Sequence, residues 1–123
     1  MLSAWYLHKV EWYENDGTGI FTSHIITAEG AFAKDWGVRT PTSVHAIDLD
    51  NDGDMDILSA SQNDDTIAWY ENDGASDPSW TAEDIATSAD SAASVFVADM
   101  DGDGDLDIVS ASASDDTIAW YET

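Results

Sequence analysis

The sequence has no cysteine, two prolines and only three Lys or Arg residues among its 123 residues. The absence of cysteine excludes disulfides, thiolate metal sites and a cysteine nucleophile. The three cations stand against 26 acidic residues, which excludes a general nucleic-acid binder, because phosphate contacts need clustered Lys and Arg. There is no basic segment followed by a long apolar run, and no apolar stretch near the ~20 residues that span a bilayer. We therefore expect no nucleic-acid partner, no signal peptide at the start and no membrane insertion.

Hydrophobic residues, by contrast, are plentiful. They make up 43% of the chain, with six Trp, four Tyr and three Phe, so the composition is that of a globular domain rather than of a disordered segment. The formal net charge of −23 opposes compaction unless cations offset it. Ten of the twenty aspartates lie in two nine-residue stretches, which points to local sites for such cations.

The chain repeats itself at an offset of 51 residues, where Ser43–Asn72 aligns without a gap to Ser94–Thr123. The segment DDTIAWYE is identical in the two copies, at Asp64–Glu71 and Asp115–Glu122. A partial copy opens the chain, since WYENDG occurs at Trp12–Gly17 and again at Trp69–Gly74. A repeat of this kind predicts one structural unit used several times.

Each unit is predicted to contain short β-strands. SVFVADM is an apolar run typical of a strand buried on both faces, and TIAWYE places apolar side chains on both of its faces. The Asp-Asp and ENDG segments are turn signals, and no stretch has a sustained helical period. Four strands in 51 to 57 residues are the size of a propeller blade.

We therefore predict an all-β fold of four-stranded antiparallel propeller blades, about two and a half per chain. The whole of 1–123 forms one repeat region in this prediction. Residues 1–27 form a partial blade, 43–87 a full blade, and 94–123 a blade that lacks its outer strand.

The two acidic stretches, DLDNDGDMD and DMDGDGDLD, have aspartate at every odd position. Such carboxylates converge only if the chain wraps around one point, and glycine at the sixth position permits the bend. Oxygen ligands in this number suit Ca²⁺. We predict two Ca²⁺ per chain, with loop positions 1, 3, 5 and 9 supplying carboxylates and position 7 more readily its carbonyl. The predicted ligands are Asp48, Asp50, Asp52, Asp54 and Asp56 in the first loop, and Asp99, Asp101, Asp103, Asp105 and Asp107 in the second.

The aspartate pattern has two alternatives to a propeller calcium loop. An EF-hand needs a bidentate Glu at position 12 and flanking helices, but position 12 is Ser59 or Ser110 and the flanks are predicted strands. The remaining alternative is a solvated acidic loop without metal. It does not explain why both loops have five aspartates and one glycine at the same positions.

The pattern Asp-x-Asp-x-Asp-Gly-x-x-Asp, followed by a DIVSAS-like strand, resembles the FG-GAP or VCBS repeat. The resemblance covers nearly the whole chain and implies blades of the kind found in integrin-α-type propellers, secreted bacterial propellers and some propeller lectins, with the Asp loops binding Ca²⁺. The chain departs from the family in two respects. Its length allows little more than two blades, whereas such propellers close with about seven. The FG and GAP sequence motifs that give the family its name are also absent.

Sequence motifs give little support for catalysis. His45 aligns with Phe96, which favours a packing role in a strand, and His24 is expected on a solvated outer strand. Neither a G-x-S-x-G nor an H-E-x-x-H motif is present. We therefore expect a binding module and not an enzyme.

One loop breaks the repeat. Residues 28–42 form a longer connection than 88–93, and they contain Trp36 with Lys34 and Arg39. Long loops on a rigid scaffold often bind ligands, so these three residues are a candidate site for a glycan or an acidic group. The alternative is that Trp36 covers the blade core while the two cations moderate the acidic field.

The predicted function is an extracellular Ca²⁺-binding propeller module for adhesion or lectin-like binding, with a glycan or protein ligand. The alternative is the propeller portion of a secreted carbohydrate-active hydrolase or lyase. Because two or three blades cannot close a ring, we expect either a cyclic homo-oligomer, with a trimer favoured, or a fragment of a longer propeller.

Overall fold

The computed structural model describes residues 9–28 and 40–123. These residues form an all-β, antiparallel structure of three sheets, and no helix occurs within them, which confirms the predicted fold class. The sheets are β1 (Lys9–Asn15) and β2 (Phe21–Ala28); β3 (Pro41–Ile47), β4 (Asp56–Ser61), β5 (Thr66–Asn72) and β6 (Trp80–Ala86); and β7 (Ala92–Ala98), β8 (Asp107–Ser112) and β9 (Thr117–Tyr121).

Strands within each sheet follow chain order, so every connection inside a sheet is a hairpin. The second sheet has the four strands of a complete blade, and the third has three. The first sheet shows two described strands, while residues 1–8 of the predicted partial blade lie outside the described residues. The number of blades in the working protein, and the limits of each along the chain, stay predictions.

The central strands of the second sheet, β4 and β5, are largely buried because another sheet lies against each of its two faces. All six residues of β4 are buried. One face of the second sheet packs on the third sheet, in a cluster that contains Leu58, Ile67, Val95, Val97 and Ile108. The opposite face packs on the first sheet, in a cluster that contains Val10, Ile26, Ile57, Ala68 and Tyr70. The second sheet is therefore the middle layer of three.

Hydrogen bonds reinforce the contact between the second and third sheets. Asp65, at the turn between β4 and β5, accepts a bond from the Ser91 backbone N–H through its carboxylate at 2.9 Å, and its carbonyl accepts one from Ala89 N–H at 2.9 Å. The Thr42 hydroxyl donates to the Ala92 carbonyl at 2.7 Å. These bonds hold the start of β7 against the second sheet.

The ENDG turns between β1 and β2 and between β5 and β6 are closed by aspartate. Asp16 accepts bonds from the Thr18 hydroxyl and backbone N–H, each at 2.7 Å, and these bonds hold the pKa of its carboxyl below the ordinary value. Asp73 accepts from Ser79 and Ala75 backbone N–H groups at 3.1 Å, which lowers its pKa in the same way. The repeated ENDG segments thus begin their turns in the same way, with an aspartate that accepts backbone bonds, although the connections 16–20 and 73–79 differ in length.

Candidate metal centres

The two acidic loops occupy equivalent places in the fold. Residues 48–55 connect β3 to β4 in the second sheet, and residues 99–106 connect β7 to β8 in the third. Both loops therefore join the first strand of a sheet to its second, as the repeat predicts. All ten predicted ligand residues lie within the described residues.

Each loop is wrapped by its own aspartates. The Asp48 carboxylate accepts a hydrogen bond from Gly53 N–H at 3.1 Å, and Asp99 accepts one from Gly104 N–H at 3.2 Å. These bonds join loop positions 1 and 6 and close the loop. Bonds between alternate residues continue the curl, with Asp52 accepting from Asp54 N–H at 2.9 Å. The equivalent bonds are Asp52 N–H to Asp50, Asp103 N–H to Asp101 and Asp105 N–H to Asp103.

Backbone conformation explains the two special positions of each loop. Gly53 and Gly104 at position 6 have φ of 98° and 102°, the left-handed region in which glycine has no Cβ penalty. Position 4 is also left-handed, with φ of 61° at Asn51 and 82° at Gly102. The bend at position 6 was predicted, whereas the turn at position 4 was not, although asparagine and glycine are the residues that best tolerate it.

The wrapping brings carboxylates together in both loops. Asp48, Asp50 and Asp52 each offer an oxygen, and these oxygens all lie within 4.8 Å of one another. In the second loop Asp99, Asp101 and Asp107 do the same. Each loop therefore contains a group of carboxylates that could hold a metal ion, formed from positions 1, 3 and 5 in one case and 1, 3 and 9 in the other.

Position 9 has a second role that the sequence did not show. Asp56 is fully buried, and its two oxygens accept hydrogen bonds from Leu49 N–H at 3.2 Å and Asn72 N–H at 2.9 Å. Asp107, 1% exposed, accepts equivalent bonds from Met100 N–H at 3.0 Å and Thr123 N–H at 3.3 Å. Each aspartate thereby ties its acidic loop to the end of the sheet's third strand.

The remaining predicted ligands lie at the rim of the loops. Asp103 and Asp105 are exposed and outside the close group, and Asp54 is half-buried. A Cβ added at Gly74 would lie 2.2 Å from an Asp54 carboxylate oxygen, so the Asp54 side chain lies directly over the β5–β6 turn. This placement accords with position 7 offering its backbone carbonyl, not its carboxylate, to an ion.

Electrostatics favour a cation at these loops. The Asp48 Oδ1 atom is buried and has no hydrogen-bond partner among the described residues; a bound cation would satisfy it. Lys9 is the one Lys or Arg in the described ranges, and it is paired with Glu11 on β1. That pairing raises the pKa of Lys9 and lowers that of Glu11. No protein cation is therefore placed to neutralise either loop within the part of the chain that the structure describes.

The second predicted ligand site cannot be placed. Lys34, Trp36 and Arg39 lie outside the described residues, so their proposed role stays a prediction. The structure shows a different concave site, a cavity of about 410 Å³ between the second and third sheets. Trp69, Ile85, Ile108 and Tyr121 form much of its apolar wall. Carboxylates also line it, from Asp50, Glu83, Asp105 and Glu122.

The two described histidines are packing residues. His24 stacks on Trp12, with ring centroids 4.5 Å apart and an interplanar angle of 16°, and it is half-buried rather than solvated as the sequence suggested. Its Nε2 lies 3.2 Å from a Glu14 carboxylate oxygen. His45 contacts Phe96, with centroids 5.5 Å apart, which accords with its expected place in a strand.

Comparisons with known proteins bear on the repeat alone. A family profile described as the FG-GAP-like repeat matches residues 2–59 and again residues 48–110, and together these matches span most of the chain. Comparisons with curated proteins and with solved structures give no match. No helix of the described residues is long and apolar enough to cross a membrane.

Proposed function

This chain belongs to the FG-GAP-like repeat family, and we propose that it is a calcium-binding β-propeller module that acts by binding and not by catalysis. Asp48 Oδ1 is the observation that carries the calcium assignment, because it is a buried carboxylate oxygen without a partner in a loop that wraps its other carboxylates around it. Hard oxygen donors in this number suit Ca²⁺, which accepts six to eight of them. The ion would supply positive charge that offsets the repulsion between the aspartates.

The residues that would hold the ions follow from the geometry. In the first loop they are Asp48, Asp50 and Asp52, and in the second they are Asp99, Asp101 and Asp107. Asp56 would join the first group with an oxygen that already accepts a backbone bond, since a carboxylate oxygen has more than one lone pair. The proposed stoichiometry is two Ca²⁺ per chain.

Titration calorimetry tests the stoichiometry. We expect the chain to bind two Ca²⁺, and Asp50→Ala and Asp101→Ala, which change the same position in the two loops, to bind one each. The double variant should bind none. Asp77→Ala removes the same charge from an exposed site outside both loops and should still bind two. If both single variants bind two ions with unchanged affinity, the loops are not the calcium sites.

An extracellular location is part of the proposal. FG-GAP repeats occur in extracellular proteins, and Ca²⁺ modules of that environment work at roughly 10⁻⁴ to 10⁻³ M. A dissociation constant in that range, measured in the same titration, would support it, whereas a constant below about 10⁻⁷ M would suit an intracellular site better.

Carbohydrate binding is the ligand class that the inter-sheet cavity favours. Its wall contains Trp69 and Tyr121, and aromatic faces suit the apolar face of a sugar ring. Its carboxylates can accept hydrogen bonds from hydroxyl groups. The Trp69 Nε1 atom is also buried and has no acceptor among the described residues. This indole N–H could therefore donate a hydrogen bond to a ligand.

A glycan-binding screen with two neighbouring variants tests the cavity. Glu83 pairs with Trp69 across β5 and β6, whereas Asp84 pairs with Ala68 on the opposite face, and both acids are exposed. Glu83→Ala should weaken binding of any glycan found in the screen, and Asp84→Ala should not. Weakening by Trp36→Ala alone would move the site to the long loop. Turnover of polysaccharides by the wild-type chain would instead support the alternative, part of a secreted hydrolase or lyase.

A further inference from the structure

An identical segment has two different environments in this chain. DDTIAWYE leads into and forms most of β5 in one copy and β9 in the other. Ile67 of β5 is fully buried, but Ile118, its counterpart in β9, is 74% exposed. Trp69 is partly buried against the core, and its counterpart Trp120 is 51% exposed. Since the sequence is the same, the difference comes from what lies against the strand.

The third sheet supplies what covers β5. Ile67 belongs to a buried cluster with Val95 and Val97 of β7, so the face of β5 that bears Ile67 is closed by the following sheet. On β9 the equivalent face bears Ile118 and Trp120, and the described residues place no sheet against it. We call this surface the trailing face; it consists of Phe96, Val109, Ala111, Ile118 and Trp120, which share one side of the third sheet.

The other end of the stack shows the same contrast. Tyr13 of β1 and Phe21 of β2 correspond to Tyr70 and Trp80 of the second sheet, because the two hairpins have the same register. Tyr70 is 3% exposed and Trp80 is partly buried against the first sheet, whereas Tyr13 and Phe21 are 57% and 58% exposed. We call the outward side of the first sheet the leading face; it consists of Tyr13, Phe21 and Ile25.

We propose that the trailing face of one copy of this chain docks on the leading face of a second copy. Within the chain, the first sheet packs on the second, and the second packs on the third, through equivalent faces each time. A second copy placed in this way continues the same stacking order. It covers Ile118 and Tyr13, whose counterparts Ile67 and Tyr70 are already buried inside the chain. The interface is heterologous, since its two sides are different surfaces. It is independent of which ligand the cavity binds.

Burial of apolar side chains, and not charge, drives this association. The chain has a formal net charge of −23, so two copies repel each other. Salt screens that repulsion, and bound Ca²⁺ would reduce it. We therefore expect association to strengthen as the NaCl concentration rises, which is opposite to the behaviour of a complex held by ion pairs.

Sedimentation of two face variants tests the proposal. Ile118→Arg alters only the trailing face, and Tyr13→Arg alters only the leading face; both side chains are exposed in the single chain, so folding should persist. In saturating Ca²⁺, wild type should sediment as more than one chain at micromolar concentration. Each variant alone should be a monomer, with a dissociation constant raised at least roughly tenfold, as expected for loss of one buried large apolar side chain.

Mixing the two variants distinguishes this interface from others. The Ile118→Arg variant has an unaltered leading face, and the Tyr13→Arg variant has an unaltered trailing face. In a mixture these two faces should dock and give a one-to-one dimer. The dimer should not grow, because its two remaining faces both carry the Arg substitution. Ser76→Arg, which puts the same charge on an exposed residue of the turn between β5 and β6, outside both faces and both acidic loops, should associate like wild type. The proposal is wrong if wild type is monomeric, if the mixture does not associate, or if either face variant still self-associates.

Discussion

At the scale of single residues, burial separates two kinds of aspartate in loops that look uniform in sequence. Asp50 and Asp52 are exposed, whereas Asp56 is fully buried and its oxygens accept two backbone hydrogen bonds. Each of the two exposed carboxylates accepts one backbone bond at the solvent-exposed surface of the loop, where water can replace the acceptor, and each repels its acidic neighbours. A buried carboxylate that accepts backbone N–H bonds holds the chain together even when no ion is present.

Asp56→Ala should therefore destabilise the chain in the absence of calcium, and Asp52→Ala should not. Removing Asp56 relieves some repulsion, but it leaves the N–H groups of Leu49 and Asn72 without an acceptor, at a cost of about 1–3 kcal/mol for a buried donor. Asp52→Ala should change the free energy of unfolding by less than about 0.5 kcal/mol. Urea unfolding in EDTA measures both, and equal losses for the two variants would contradict the separation of roles.

At the scale of elements, the second sheet is held to the third at the turn between β4 and β5. Asp65 accepts the Ser91 N–H bond there. Asp116 occupies the same position of the identical segment in the third sheet, with φ of 53° against 56° at Asp65. Since the local sequence and backbone match, the two residues differ chiefly in whether a following sheet is present.

Asp65→Ala should cost about 1 kcal/mol more than Asp116→Ala in the free energy of unfolding of the monomer, the usual net value of one hydrogen bond. Backbone strain from alanine at positive φ affects both variants alike and cancels in the comparison. The measurement is urea unfolding of both variants in the Ile118→Arg background, which keeps the chain monomeric if the trailing face is the interface. A larger loss for Asp116→Ala would show that the turn has no inter-sheet role.

At the scale of the whole molecule, charge opposes the compact state. The described residues contain one Lys and no Arg against two groups of converging carboxylates. Salt and calcium reduce the same repulsion by different routes, because salt screens all the charges while Ca²⁺ would neutralise the two loops directly.

The melting temperature in EDTA should consequently rise as NaCl is increased, and it should rise less with NaCl when Ca²⁺ is saturating. Thermal unfolding followed by circular dichroism in both conditions, at matched ionic strength, measures the difference. Magnesium at the same concentration is the control, since Mg²⁺ dehydrates reluctantly and demands near-octahedral geometry. If Mg²⁺ and Ca²⁺ raise the melting temperature equally, general screening and not a built site is responsible.

The sequence alone predicted four features of this protein, namely the repeat, the all-β class, the order of the hairpins and the position of the acidic loops. They depend on local signals, such as apolar runs, Asp-Asp and ENDG turns, and glycine at the sixth loop position, and these act over a few residues of chain. Tertiary structure decided which aspartates are buried. Asp107 accepts a bond from Thr123 N–H and Asp56 accepts one from Asn72 N–H, and each donor lies 16 residues further along the chain. Tertiary structure also decided the exposure of Ile67 and Ile118, which lie in identical segments. Burial is a property of what packs against a residue, so no local sequence can determine it.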